Sequence, residues 1–252
     1  MVRRNFLKMH GLGNDFVIVD ARAEPFIPSP DQVRFLADRR LGVGCDQLIV
    51  MEPSEQADIF MRIYNSDGSQ AGACGNATRC VASLVGGEPV IETIAGLLPT
   101  RKDGAWYETD MGKIDVLDTN ALIEGAGMPA VILNIGNPHA VFLTDQLDLV
   151  TTLGPQIEVH PDFPNRTNVQ FVHILDTQNI RQRVWERGAG LTAASGSGAC
   201  AGAVAAMVKG GCDHQLTVHM DGGELRITWR ESDDHVLMHG PHALSFEGCF
   251  DL

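Results

Sequence analysis

Short apolar runs closed by a charged or turn-forming residue recur along the chain, and their length and β-branched content predict strands rather than helices. Examples are FVIVD (16–20), QLIVM (47–51), IFMRIY (59–64), HAVFLTD (139–145), NVQFVHIL (168–175) and LRITW (225–229). Near the end, VLMHGPHALSF reads as strand, turn and strand. Helical periodicity with start signals is confined to SPDQVRFLADRR (29–40), the run from Asn76 to about Val85, and the run from Ser197 to about Lys209. The expected class is therefore α/β (α+β), with strands outnumbering helices.

The pattern also repeats, and a repeat outranks any single element as a guide to fold. GLGNDFVIVD in the first half answers to NIGNPHAVFLTD in the second, each a Gly-Asn turn feeding a strand that leads to Asp. YNSDGSQAGACGNATRC answers to WERGAGLTAASGSGAC, each a strand, a Gly-containing turn, a small-residue loop and a helix start. Asn65 to Cys74 is nine residues, as is Glu186 to Ser195; Asn14 to Cys74 is 60 and Asn137 to Ser195 is 58. Two similar domains are expected, with Cys74 and Ser195 in equivalent places at the mouths of two helices.

The 252 residues, 44% hydrophobic and 20% charged, suit one large domain or two of about 120 residues. No apolar run approaches the roughly 18 residues of a membrane helix, and MVRRNFLKMHGLGNDF lacks the apolar core of a signal peptide. A cytoplasmic protein is expected, without a membrane partner. A net charge of -13 argues against nucleic acid, whose binding rests on clustered Lys and Arg. The six cysteines, Cys45, Cys74, Cys80, Cys200, Cys212 and Cys249, form neither a disulfide framework nor a CxxC metal pair, and most read as buried thiols.

The two loops carry the candidate chemistry. Each continues as Gly and a small polar residue, Gly75-Asn76 and Gly196-Ser197, so unpaired backbone N–H groups point out of each helix start and favour an anion there. A cysteine so placed has its thiolate favoured over an ordinary value of about 8.5, and a substrate carboxylate would be held by the same donors. Cys74 fits this role, whereas Cys80 and Cys200 lie further along the helices and read as core. Ser195 admits three roles: nucleophile, helix cap, or a substitute for an acid/base group. No Gly-x-Ser-x-Gly elbow surrounds it, and GAGLTA (188–193) mimics a dinucleotide loop without a helix beginning after Gly190. His235, His239 and His242 lie in strand and turn, so no metal site is expected. Asn14, Asn65, Asn137 and Asn168 are each explicable as turn formers, and Glu186-Arg187 as a surface pair, until the repeat groups them.

Opposed acid/base groups from two halves suit racemisation, in which a proton leaves one face of a carbon and returns to the other. With that, the chain resembles the diaminopimelate epimerase family through KMHGLGNDFVIVD, LADRRLGVGCDQLIV, NSDGSQAGACGNATRC, NIGNPHAVF, RTNVQFV, RVWERGAGLTAASGSGACA and GPHALSFEGCF, which span it in order. The resemblance implies a cofactor-independent amino-acid epimerase that converts LL- to meso-diaminopimelate for lysine and cell-wall precursors, a homodimer, taking a small-molecule substrate. It implies two pseudo-symmetric domains, residues 1–116 plus 242–252 and residues 117–241, each a curved sheet around a central helix, with the active site at their interface and a short C-terminal strand returning to the first. Substrate contacts would come from Asn14, Gln47, Asn65, Gly75, Asn76, Asn137, Asn168, Glu186, Arg187, Gly196 and Ser197. Cys74 matches one catalytic cysteine, and His139 and Glu186 match the pair that tunes the two thiols.

The departure is at the second cysteine: the family's Ala-Cys-Gly-Ser/Thr is here Ala194-Ser195-Gly196-Ser197. Each tenfold loss of acidity costs about 1.4 kcal/mol, so a hydroxyl in place of a thiol costs roughly 5 kcal/mol or more, thousands-fold in rate. Two-base turnover is expected to be impaired. The alternatives are a binding-competent inactive homologue, or a lyase or dehydratase that uses one thiol on a β-substituted amino acid.

Overall fold

The computed structural model describes residues 3–252, which fall into two compact units: residues up to Thr109 with Gly240–Leu252, and Asp110–His239. The first unit begins with β1 (Arg3–Gly11) and β2 (Asn14–Asp20), followed by α1 (Pro30–Ala37), β3 (Gln47–Glu52), β4 (Ile59–Asn65) and the two-residue β5 (Gln70–Ala71). Then come α2 (Gly75–Val85), β6 (Val90–Thr93), β7 (Gly96–Asp103) and β8 (Trp106–Lys113), within which the chain passes into the second unit.

The second unit contains β9 (Asp115–Leu122), β10 (Pro129–Asn134), β11 (Pro138–Leu143), a 3-10 turn (Leu147–Thr151), α3 (Gly154–Glu158), β12 (Asn168–Asp176) and β13 (Asn179–Glu186). It continues with β14 (Gly190–Thr192), α4 (Gly196–Gly210), β15 (Gln215–Met220), β16 (Gly223–Arg230) and β17 (His235–Gly240). The last strand, β18 (Ala243–Asp251), belongs to the first unit and pairs antiparallel with β1 from Arg3–Asp251 to His10–Ala243. At nine residues it is longer than the short closing strand expected.

The repeat in the sequence is a repeat of topology. In the first unit the strands run in the order β18-β1-β2-β3-β4-β6-β7-β8, with β2–β3 and β4–β6 parallel and the other neighbours antiparallel. The second unit runs β9-β10-β11-β12-β13-β15-β16-β17, with β11–β12 and β13–β15 parallel. In each, the short strand β5 or β14 pairs with β4 or β13 and delivers the chain to the major helix.

The central strands of each sheet are covered on both faces, which is why they read as unbroken apolar runs. In the first unit Phe16, Ile18, Ile49 and Ile63 pack with Ala77, Cys80 and Val81 of α2. The alternate residues Val17, Val19, Leu48 and Val50 pack with Val33 and Leu36 of α1. In the second unit α4 is buried from Ala199 to Met207 and is built almost wholly of Gly, Ala and other small residues, so the surrounding strands come close. A Cβ on Gly202 would stand 1.8 Å from Oε1 of the buried Gln182.

Helix α1 stops three residues short of the expected Arg40. Ser29 and Gln32 form a reciprocal capping box at its start, but Asp38 turns out of the helix with ψ 124° and its Oδ1 accepts from the N–H groups of Arg40 and Leu41 at 2.7 and 2.8 Å. A side chain that satisfies these donors locally competes with the helix ladder and ends it. No helix among the described residues is long and apolar enough to cross a membrane.

Candidate active site

In the first unit the site is assembled around the start of α2. Gly13, at φ 86°, makes the left-handed turn that swings the chain from β1 into Asn14. The Asn14 amide then bridges. Its Nδ2 donates to Asp46 Oδ2 at 2.9 Å, and its Oδ1 accepts from Asn76 Nδ2 at 3.1 Å and lies 3.8 Å from Cys74 Sγ. Cys74 occupies the N-cap position in extended conformation (φ -150°, ψ 107°) and makes no side-chain cap bond, leaving its half-buried sulfur at the helix mouth. Arg79, fully buried, donates to Asn76 Oδ1 at 2.7 Å, to Gly75 O at 3.3 Å and to Pro241 O at 3.1 Å. It thereby fixes the first turn of α2. Gln47 and Asn65, opposite each other on β3 and β4, are joined by Gln47 Nε2 donating to Asn65 Oδ1 at 3.0 Å.

Asp15, next to Asn14, is held by Lys8 at 2.6 Å and Arg39 at 2.7 Å. Burial alone would raise its carboxyl, but the hydrogen bonds and charges of Arg39 and Lys8 outweigh that and hold it well below the carboxylate range. Arg39 also reaches Asp46 at 2.8 Å, so this ion-pair cluster sets the acid that orients Asn14.

The second unit places the matching residues around the start of α4. Gly136, at φ 82°, makes the equivalent turn into Asn137. Asn137 Nδ2 donates to Ser197 Oγ at 3.3 Å, while its Oδ1 lies 2.9 Å from His139 Nε2. The other ring nitrogen of His139 lies 2.9 Å from Gln170 Nε2. His139 is fully buried. Burial, aided by the charge of Arg187, pushes it down to about 3, so its imidazole is neutral at ordinary pH. Ser195 takes the N-cap position (φ -137°, ψ 123°), and its Oγ accepts from the N–H of Gly198 at 3.3 Å. The capping role open to this serine is therefore present in the geometry.

Asn168 is buried beside this group; its Nδ2 donates to Pro138 O at 3.0 Å and its Oδ1 accepts the N–H of Arg187 at 3.0 Å. Glu186 Oε1 accepts from Thr192 Oγ1 at 2.6 Å, across β13 and β14. Glu158 of α3 pins the turn that follows, accepting from Trp185 Nε1 at 2.7 Å and Gly188 N at 2.9 Å. The exposed Arg187 extends its guanidinium to Asn165 O at 3.3 Å.

The thiols further along the two major helices are removed from this chemistry. Cys80 is buried in α2 and burial pushes it up to about 12; Cys200 is buried in α4, five residues past Ser195. Among the described residues no group of three or more His, Cys, Asp and Glu is placed to hold a metal ion. His235 bonds Asp110 at 2.8 Å, and His242 packs edge-on against the Tyr107 ring.

Each unit gathers its own sequence-named residues: Asn14, Cys74, Gly75 and Asn76 with the Gln47–Asn65 pair in one, and Asn137, His139, Asn168, Glu186, Arg187, Ser195, Gly196 and Ser197 in the other. The residues that orient them were not singled out in the sequence: Asp46, Arg79, Gln170 and Thr192 stand within the quoted segments without a role, and Glu158 stands outside them. The one available signal was a lone Gln inside the apolar run NVQFV, where a strand covered on both faces has no reason for a polar side chain.

Two units of matched strand order around buried helices, each presenting a polar loop at a helix start, define a known architecture. The fold is that of a Bacillus anthracis phenazine biosynthesis protein of the PhzF family (TM-score 0.76, 17% identity, all of both chains covered). It is also that of a probable proline racemase from Agrobacterium radiobacter (TM-score 0.74, 16% identity, 99% of this chain and 92% of that one). The family model for diaminopimelate epimerase matches residues 6–115 and 131–244. The chain is 49% identical over 253 residues to the diaminopimelate epimerase of Gluconobacter oxydans, covering 97% of this chain and 98% of the relative. It belongs to the diaminopimelate epimerase family and is thus an isomerase of the cofactor-independent epimerase class.

Proposed function

We infer that the protein acts on diaminopimelate, exchanging the α-proton at one stereocentre, with Cys74 and the Ser195 loop as the two acid/base positions. Inversion requires one group to take the proton from one face of the carbon and another to return a proton to the opposite face. Each unit offers backbone N–H groups at a helix start, Gly75-Asn76 in one and Gly196-Ser197 in the other, where the helix dipole favours an anion such as a carboxylate. Asn14, Gln47, Asn65, Asn137 and Asn168 supply neutral donors and acceptors. Glu186 and Arg187 complement the ammonium and carboxylate of an amino acid. The unit that ends at Thr109 and resumes at Gly240–Leu252 supplies Cys74, and Asp110–His239 supplies Ser195. The enzyme works in the cytoplasm as a homodimer, for which sedimentation would read twice the 27.2 kDa of one chain.

One observation carries this assignment: Cys74 and Ser195 both occupy the N-cap of the major buried helix of their unit, nine residues after the ends of matching strands. At Cys74 the Sγ contact with Asn14 Oδ1 is one that a thiol makes and a thiolate does not. Cys74 is thus set to give and retrieve a proton. At Ser195 a hydroxyl stands instead, engaged as a cap, so proton transfer on that face is slow.

The test is turnover of LL-diaminopimelate by the protein and by Ser195→Cys. A thousands-fold or larger gain in the variant supports the assignment. A variant that binds the substrate yet neither exchanges nor epimerises it removes the assignment. The cap bond also favours a second possibility for the unaltered chain: bound substrate whose α-proton exchanges on the Cys74 face alone.

A further inference from the structure

The two units orient their loop-facing asparagines in opposite senses. Asn14 gives its Nδ2 to Asp46 and turns its carbonyl toward Asn76 and Cys74. Asn137 turns its carbonyl toward His139 and its NH2 toward Ser197. The pairing register shows what differs. Asn14 lies two residues before Phe16, which pairs with Gln47, and Asn137 lies two before His139, which pairs with Asn168. Two residues on from Gln47 stands Ile49, and two on from Asn168 stands Gln170. Where one unit has buried Phe16 and Ile49, the other has buried His139 and Gln170.

We propose that Gln170 is a positioning residue: by donating to His139 Nδ1 it holds the imidazole as the neutral Nε2–H tautomer, which turns the Asn137 amide so that its NH2 faces Ser197. A primary amide nitrogen only donates, so Nδ1 must accept and Nε2 must carry the hydrogen that Asn137 Oδ1 receives. The relay from Gln170 through His139 and Asn137 to Ser197 then runs in one direction. Reversing every link would need Gln170 to present its oxygen to Nδ1–H. In the structure it presents its NH2 instead, and its buried Oε1 has no hydrogen-bond partner.

The direction matters for the loop. A donor from Asn137 joins the backbone N–H groups at the start of α4, so this unit offers hydrogens to a negatively charged oxygen such as a substrate carboxylate. The other unit, with Asn14 Oδ1 facing Cys74, offers an acceptor for a thiol proton. Gln170 lies close to the serine as well: a Cβ on Gly198 would stand 3.0 Å from Ser195 Oγ and 3.2 Å from Gln170 Nε2. The consequence for ligand binding rests on the site proposed above, whereas the tautomer does not.

The test is a long-range ¹⁵N–¹H correlation spectrum of the full chain labelled at histidine, with His139 assigned by its loss in H139F. The expected result is a single Nε2–H tautomer in the unaltered protein and a mixture of both tautomers in Q170M, an apolar replacement of similar volume that the core accommodates. A purely space-filling role for Gln170 would leave the tautomer unchanged in Q170M, and that outcome, or an Nδ1–H tautomer in the unaltered protein, overturns the proposal. Calorimetry with diaminopimelate adds the second arm. Q170M weakens binding by about tenfold, the equivalent of one hydrogen bond to a charged group. Q182M, at the other buried glutamine facing α4, does not. Unchanged affinity in a Q170M whose tautomer is lost also overturns the proposal, because Asn137 would then not depend on the imidazole. If the unaltered protein binds no diaminopimelate at all, the substrate assignment fails and the spectrum still decides the role of Gln170.

Discussion

The hydroxyl of Ser195 accepts a hydrogen bond from the backbone N–H of Gly198 at 3.3 Å. It caps α4 at the position where Cys74, in the other unit, leaves α2 without a side-chain cap. A single position thus serves the helix in one unit and, in the other, holds the thiol proposed to transfer the proton. Replacing Ser195 with alanine removes the cap, and the expected cost is about 1 kcal/mol of stability. Urea unfolding of Ser195→Ala against the unaltered protein measures it; an unchanged midpoint would mean that water replaces the cap without loss.

His139 makes the second prediction. Its folded-state value is pushed down to about 3 by burial, against 6.5 for the exposed ring. Between those values the unfolded chain binds a proton that the folded chain refuses, so stability falls as pH drops from about 6.5 towards about 3. His139→Phe, which installs the residue found at Phe16 in the first unit, removes this contribution. The slope of unfolding free energy over that window should be shallower in the variant, read by denaturant titration at a series of pH values.

Asp15 acts in the same direction at lower pH. Its carboxyl is depressed in the fold, so the stabilisation is complete above the ordinary carboxylate range and is lost as pH falls through the folded value. Asp15→Asn should lower stability at neutral pH and flatten the acid limb of the curve. Because Asp46 N donates to Asp15 Oδ1 at 3.1 Å and Arg39 bridges the two acids, the same variant loosens the support of Asn14. Weaker diaminopimelate binding should accompany the loss.

The guanidinium of Arg79 is buried with three acceptors around it, Asn76 Oδ1, Gly75 O and Pro241 O. Arg79→Met removes the guanidinium donors from them, and an unsatisfied buried polar group costs about 1–3 kcal/mol. The expected outcome is a fall in stability of at least that size, measured by urea unfolding. The corresponding position of the second unit is filled by Cys200, fully buried and small, so the two helix starts are braced by different chemistry.

Much of the fold was legible because burial on both faces leaves a plain mark. FVIVD, QLIVM and IFMRIY could not be amphipathic surface strands, and each is a sheet strand with its alternate residues on two packed layers. The repeat was legible through spacing alone, since Asn65 to Cys74 and Glu186 to Ser195 match to the residue. The end of α1 was not, because helical periodicity continues through Asp38 while its side chain diverts the backbone. The orienting residues were hidden for another reason. Asp46 and Gln170 act on site residues distant in the chain, 32 and 31 residues away for Asn14 and His139. Only Arg79, one helical turn from Asn76, lies within reach of a local pattern.

Which faces of the α-carbon exchange their proton is the most direct test of the roles of Cys74 and Ser195. LL-diaminopimelate incubated in deuterium oxide, with product stereochemistry and deuterium content read by NMR and chiral chromatography, resolves this for the unaltered protein, Ser195→Cys and Cys74→Ala. The predicted result is fast deuterium incorporation with inversion in Ser195→Cys, slow inversion in the unaltered chain, and none in Cys74→Ala. Inversion in the unaltered chain as fast as in Ser195→Cys, or its survival in Cys74→Ala, would contradict it.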